Sequence, residues 1–317
     1  MRSKLILGAI VAFVVLAAGS VILPDWAMFL FAMALAKGLV CLGIVGMMRG
    51  GVVSFGQGLY YCLGAYTATL VANNFGVSDI FLLTLLSSAV CLLVGMAFGP
   101  LLSSYRGIFF AMLSLALSMV LYGSLSKMSI IGGTDGLNIA APTFFGWAPE
   151  GRPLQTALYI YVVAIVVIAG VLMRIYFDSE RGLLTLATRD NELRVEYLGA
   201  SVRNVMTYNY VFGAVLGGIG GTIAALALGH VDPEFAFWTT SGEFVFVAIL
   251  AGYLSVPSVF VAAIILELVR SFSNLYFPNT WQLALGIFLL AVIVVLPKGL
   301  GSLVSRRKGN PPTSTLP

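Results

Sequence analysis

Charge is what this sequence has least of. Only 9% of its 317 residues are Asp, Glu, Lys or Arg, whereas 60% are hydrophobic; an average soluble domain is about one quarter charged. Such a chain lacks the polar residues to cover a water-facing surface, which excludes a soluble globular domain and makes the bilayer its solvent. Histidine is scarcer still, with His230 the only one. Its neighbours Gly229 and Asp232 at an expected helix end make it a loop or cap residue. No GxxxxGK[ST] phosphate loop and no paired Asp motif at a membrane surface occur, so the chain offers little to a membrane-embedded enzyme. The three cysteines, Cys41, Cys62 and Cys91, lie inside apolar runs without CxxC or metal-ligand spacing and read as small buried hydrophobes. No metal or cofactor is expected in this chain. The net charge of +4 is distributed by membrane orientation and gives no reason to expect nucleic acid.

What is abundant is uninterrupted apolar sequence. Residues 5–23, 52–72, 80–102, 107–125, 156–173 and 205–229 contain no charge, and each reaches the roughly 17 to 25 residues that cross a hydrocarbon core. The first run, preceded by Arg2 and Lys4 and ending in small residues, also fits a signal peptide, although it is longer than the roughly 7 to 15 residues usual there. Backbone groups in lipid must be satisfied within the segment, and continuous rather than alternating runs select helices. The fold class is therefore an all-α integral membrane protein. Residues 27–48, broken only by Lys37, and 281–296 add two spans. Residues 244–266 carry Gly252, Ser255 and Pro257, and pattern alone leaves one crossing or two open.

Charge asymmetry separates these cases, because cytoplasmic loops carry the excess of Lys and Arg. A turn near residues 253–257 gives about ten transmembrane helices with both termini inside. Of the 17 basic residues, Lys127 and Arg152 then fall outside and Lys37 and Arg270 within spans, while all others, including Arg306, Arg307 and Lys308, lie inside. A single crossing would strand that last cluster outside. The expectation is one transmembrane domain over residues 1–303, with an inner loop at 174–204, an outer loop at 126–155 and a flexible cytoplasmic tail at 304–317.

Four places are chemically distinctive. The inner loop is the most charged part of the chain, and Leu183, Leu186, Leu193, Tyr197 and Leu198 fit a short helix pair at the membrane surface with charges on the other face. A solvated charged loop and a pair that docks into a partner's groove both fit. Gly213, Gly217 and Gly221 recur every fourth residue, the spacing that lets helix backbones approach closely in lipid. Residues 50–58 gather glycines with Ser54 and Gln57 at a helix start, where free N–H groups suit a polar solute; a tight turn is the plainer reading. Lys37, Glu243, Glu267 and Arg270 fall in or near the membrane, where ionisable residues are costly. Glu267 and Arg270 stand three apart, in position to neutralise each other. Lys37 has no local partner, which leaves an ion pair with another span or a functional role.

Five islands in order carry a family resemblance over residues 38–299: Ser54-Phe55-Gly56 with Gly64-Ala65-Tyr66-Thr67; Arg106-Gly107-Ile108-Phe109-Phe110-Ala111-Met112; Gly132-Gly133-Thr134-Asp135-Gly136-Leu137; Thr188-Arg189-Asp190-Asn191-Glu192 with Leu198-Gly199; and Leu296-Pro297-Lys298-Gly299-Leu300. The chain resembles the branched-chain-amino-acid permease family of binding-protein-dependent ABC importers, in its LivM-type branch. The resemblance implies an ABC importer permease fold in the bacterial inner membrane, paired with a second homologous permease subunit. Two ATPase subunits would hold ATP and Mg on the cytoplasmic side, and a periplasmic solute-binding protein would deliver the solute. It also implies that Arg181, Gly182, Arg189, Asp190, Asn191, Glu192, Glu196 and Gly199 couple to the ATPase. Gly133, Thr134, Asp135 and Gly136 would lie on the periplasmic face. Lys37, Ser54, Gly56, Gln57 and Tyr66 are the candidates for the translocation path. The first island departs from the family's Gly-Gln-x-Ser-x-Gly-His, with Val52 in the Gln place and Gln57 in the His place, and Lys37 is unlike the family. The solute is therefore left open among branched-chain and other amino acids, amides, urea and aromatic acids. The rival reading is a secondary transporter driven by an ion gradient, for which Glu243 and Glu267 are the candidate midplane acids.

Overall fold

The computed structural model describes residues 2–276, 278, 280–295 and 299–301. The expected tail at 304–317, and Leu296, Pro297 and Lys298 of the last island, lie outside the described residues. The chain is mostly helical: α1 (Arg2–Ile22), α2 (Asp25–Met48), α3 (Gln57–Phe75), α4 (Ile80–Leu102), α5 (Gly107–Lys127), α6 (Arg152–Phe177), α7 (Glu180–Asp190), α8 (Glu192–Tyr197), α9 (Val202–Leu228), α10 (Trp238–Ala251), α11 (Val256–Tyr276) and α12 (Trp281–Val295). Six of these, α2, α4, α5, α6, α9 and α11, are long and apolar enough to cross a membrane.

Two helices form the centre. In α2 the spanning window is 89% buried inside the protein, whereas in α5 it is 17% buried, so α2 is a core element and α5 leaves most of its surface for lipid or another chain. The other central helix is α9, which packs on α2, α3 and α4. Its glycines explain the contact. A Cβ added to Gly43 of α2 would lie 2.7 Å from the Gly213 Cα, and one added to Gly220 would lie 2.6 Å from the Ala36 carbonyl. Gly64 of α3 faces Gly218, and Gly221 faces the Tyr61 carbonyl, both too close for any side chain. With no water to expel between apolar helices, close van der Waals packing of small residues does the work. The four-residue glycine spacing is thus a packing feature of α9 against two neighbours.

Local chemistry sets the helix ends. Asp79 starts α4 by accepting from the Phe81 and Leu82 amides at 3.0 and 3.3 Å, and Ser179, Asn191 and Ser201 cap α7, α8 and α9. The stretch at 244–266 is two helices. α10 ends at Ala251, Gly252 turns the chain at φ +72°, and α11 begins at Val256 with Pro257 in its first turn, where a missing N–H costs nothing. Helix α1 packs on α6, and the Tyr159 hydroxyl donates to the Leu16 carbonyl at 3.2 Å.

The two long loops lie at opposite ends of the bundle. At one end α7 and α8 pack under α9 and beside the start of α5. At the other, the loop after α5 folds into two short 3-10 turns and a strand, β1 (Leu137–Asn138), which pairs antiparallel with β2 (His230–Val231) just after α9.

Candidate functional site

The ionisable residues within the bundle converge. Lys37 of α2 places Nζ 2.7 Å from Glu267 Oε2 of α11 and 3.9 Å from Glu243 Oε2 of α10, and Arg270 Nη1 sits 3.1 Å from the same Glu243 oxygen. The Lys37, Glu243 and Glu267 side chains are only 10%, 14% and 15% exposed, so each charge depends on the others for its counter-charge. Lys37 is thus ion-paired across spans, the alternative to a lone functional lysine that its sequence position left open. Arg270, expected to neutralise its near neighbour Glu267, reaches Glu243 on another helix.

This cluster lines a cavity of about 480 Å³ at the bundle end opposite α7 and α8. Phe29 and Met33, two turns and one turn before Lys37 on α2, form part of an apolar wall with Tyr61, Leu228 and Phe235, and Asp232 and Glu234 stand beyond the end of α9. Oδ1 of Asp232 is buried without a hydrogen-bond partner among the described residues. Among those residues no group of three or more His, Cys, Asp or Glu is arranged to hold a metal ion.

The remaining residues expected along the path lie elsewhere. Ser54 and Gln57 are fully buried, and Tyr66 is 3% exposed. The Ser54 hydroxyl accepts from the Gly56 amide at 3.2 Å, and Gly56 sits against the Ser114 backbone of α5. Gln57 lies against Gly213 and Gly217 of α9, its amide unpartnered among the described residues, as is the Tyr66 hydroxyl. These four belong to the packed junction of α3 with its neighbours, and of the five expected path residues Lys37 alone lines the cavity. Asp232, Glu234, Phe29 and Met33 were missed as site residues. The only signal available, Asp232 beside His230, points to a helix end rather than a cavity.

At the other end, the expected coupling residues come together. The Asn191 side chain accepts from the Arg194 amide at 2.9 Å to start α8, and Arg106 Nε donates to both Glu192 oxygens at 2.8 and 3.0 Å. The Arg189 guanidinium stacks 3.7 Å over the Tyr253 ring, and that of Arg181 lies 4.5 Å over Tyr208. Gly182 lets α7 touch the end of α6, since a Cβ there would meet the Tyr176 carbonyl, and Gly199 turns the chain after α8 at φ +84°. Asp190 and Glu196 are exposed. Beneath α2, Arg49 lies 4.1 Å over the Phe177 ring, and burial, followed by the nearby charge of Arg174, lowers its pKa. The buried face of the helix pair is Gly182, Thr185, Thr188 and Val195. Leu183, Leu193, Tyr197 and Leu198, at 57% to 88% exposed, point away from the chain's own core.

In the segment at the cavity end, Gly132, Gly133 and Gly136 adopt φ of +88°, +55° and +72°, a backbone that only glycine takes without strain. Thr134 and Asp135 are held outward between them. Gly136 packs directly against Val231 and Asp232, which ties the loop to the cavity wall. His230 Nδ1 pairs with Asn138 Oδ1 at 2.8 Å and so fastens β1 to β2.

A buried charge cluster in a cavity, on a glycine-packed bundle of apolar helices, marks a multi-pass membrane protein of the transporter class. Residues 26–296 match the family described as branched-chain amino acid transport system / permease component, and the chain belongs to that family. It is 27% identical over 286 residues to the high-affinity branched-chain amino acid transport system permease protein LivM of Escherichia coli K12, covering 81% of this chain and 65% of the relative. The LivM of Salmonella typhimurium is 26% identical over the same coverage. LivH of Escherichia coli K12 is 21% identical over 272 residues, 81% of this chain and 86% of that protein. The chain thus spans just under two thirds of the length of its LivM relatives. No solved structure matches.

Proposed function

We propose that this chain is a permease subunit of a binding-protein-dependent ABC importer that moves branched-chain or related amino acids, or small amide or acid solutes, across the bacterial inner membrane. Ten helices cross the bilayer: α1, α3, α10 and α12 join the six long apolar ones, with both termini in the cytosol. The short α10 ends at Gly252 and returns as α11, which keeps the basic inner loop and the carboxy-terminal arginines on one side. The chain is a transport subunit, not an enzyme; ATP and Mg bind two partner ATPase subunits, a second homologous permease subunit completes the path, and a periplasmic solute-binding protein docks near Gly133, Thr134, Asp135 and Gly136.

The observation that carries this reading is the helix pair α7–α8. It is held rigidly to the bundle by the Arg106–Glu192 fork and the Arg189–Tyr253 stack, yet presents Leu183, Leu193, Tyr197 and Leu198 outward. An amphipathic element with unpartnered apolar anchors fits a groove on another protein. Movement of the ATPases would pass through this rigid connection to α9 and α2, and so to the cavity at their far ends. A partner drives that change only by its differential affinity for the two states.

Leu193→Asp and Tyr197→Asp test it. Both side chains are exposed, so the isolated chain should melt as the parent does, whereas co-purification with the ATPase subunits and ATP-driven uptake should be lost. Uptake that persists without any ATPase subunit overturns the proposal in favour of an ion-driven carrier.

A further inference from the structure

We infer that the hairpin at Phe144–Trp147, in the loop between α5 and α6, is a lipid anchor: Phe145 and Trp147 sit at the headgroup level of the bilayer and fasten the loop to it. Among the described residues Phe145 is the one non-glycine residue with positive φ, at +51°, and Gly146 follows at +85°. Phe144 and Trp147 exchange both backbone hydrogen bonds, at 2.8 and 2.9 Å, so the two residues between them make a tight turn of the I′ kind. Asn, Asp and Gly suit such a turn, and a bulky aromatic residue there is strained. Strain of that sort persists where the surroundings hold it. Here the Phe145 amide donates to Asp79 Oδ2 at 2.7 Å, the Thr143 amide to the Ser78 carbonyl at 2.7 Å and the Ile80 amide to the Thr143 carbonyl at 3.0 Å. The hairpin is thus stitched to the first turn of α4.

That stitching fixes the position of two rings. The Phe145 ring stacks on Phe81 with centroids 4.4 Å apart, yet Phe145 remains 83% exposed and Trp147 57%. Phe81 opens the outward face of α4, where Leu82, Leu85, Leu93 and Met96 are also exposed, while Leu83, Ser87, Cys91 and Gly95 are buried on the face toward the bundle. The outward face of a spanning helix of this composition meets lipid, and Phe145 continues it beyond the helix end. The level of the boundary has an independent marker. Trp26 in the first turn of α2 and Phe75 at the end of α3, both exposed, lie at the same end of the bundle, and aromatic rings gather where bilayer meets water. The turn itself carries no charge, which suits the apolar side of that boundary. Earlier in the same loop, Gly136 packs against Val231 and Asp232, so the anchor steadies a segment that touches the cavity wall.

The test uses the assembled transporter in phosphatidylcholine vesicles, with 5-hydroxytryptophan placed at position 147 alone by nonsense suppression and excited beyond the band of ordinary tryptophan. Lipid brominated near the carboxyl end of its acyl chains should quench this fluorophore more than lipid brominated near the methyl end. Iodide on both sides of the bilayer should quench it little. Phe145→Asn suits the positive φ and changes no backbone hydrogen bond, so the hairpin should be kept; the emission should shift to the red, with lipid quenching reduced and iodide quenching increased. Free access of iodide without lipid quenching overturns the inference, as does an F145N variant indistinguishable from the parent. Protection from iodide that arises only on adding the solute-binding protein, or protection from iodide and both lipids alike, assigns the rings to a protein neighbour and overturns it too.

Discussion

Replacing Lys37 by Met should be the most damaging single change in the cavity, and the damage should be largely reversed by a second change 230 positions away. At 2.7 Å the Lys37–Glu267 attraction is about 6 kcal/mol gross at an effective dielectric of ~20. Desolvation of both groups offsets most of it. The consequence of removing one partner is different, because Glu267 and Glu243, each about 15% exposed or less, are then left as neighbouring carboxylates without Lys37; losses of about 3–5 kcal/mol are usual when a buried pair is broken in this way. The cavity admits water on one side, which favours the lower end. For a chain of this size that corresponds to a fall of roughly 6 °C in Tm, at ~2 °C per kcal/mol, readable by thermal aggregation of the detergent-purified protein. Lys37→Met with Glu267→Gln removes both charges, and the double variant should return to within about 1 kcal/mol of the parent, since a buried pair exchanged for neutral groups is often close to neutral. An unchanged Tm in K37M, or a double variant as unstable as the single one, would refute the claim that this lysine and this glutamate hold each other in the bundle.

Two further outcomes follow from the same geometry. Gly64→Ala drives a methyl group into the Gly218 carbonyl of α9 and should cost about 1–3 kcal/mol by overpacking, seen as lost yield of monodisperse protein; Gly123→Ala, in a helix where a Cβ meets nothing within 4 Å, should be neutral or stabilising by up to ~1 kcal/mol. Glu192→Arg opposes Arg106 and should uncouple the ATPase while changing stability by no more than about 1 kcal/mol, because both side chains are 30–40% exposed; Arg106→Glu with Glu192→Arg should restore co-purification, and failure of the swap would remove that pair as the clamp on α8.

Apolar runs and glycine spacing made the helices legible, since a segment in lipid must satisfy its own backbone and its hydrophobicity is local information. The break between α10 and α11 was only hinted at by Gly252 and Pro257; pattern alone left one crossing or two open, and the distribution of Lys and Arg favoured the turn. The caps of the helix pair α7–α8, Ser179 and Asn191, came from the structure, while the pair itself was visible in its apolar residues. Which way those residues point was not, because a periodic stripe says that one face differs from the other and not which neighbour covers it. Leu193 and Tyr197 turn outward since Thr185, Thr188 and Val195 fill the space beneath α9.

The site shows the division most sharply. Ser54, Gly56 and Gln57 looked like a solute site because glycine and polar residues gather at a helix start, and the same composition serves a crowded junction of α3 with α5 and α9 equally well. By itself the sequence determined that Lys37, Glu243, Glu267 and Arg270 are ionisable residues in an apolar chain and need counter-charges. Only the tertiary structure decided which ones, bringing α2, α10 and α11 together so that Lys37 meets Glu267 and Arg270 meets Glu243, with Asp232 left over at the wall. Pairing between distant helices depends on how glycine-lined backbones nest against one another, and a linear pattern carries no record of that distance.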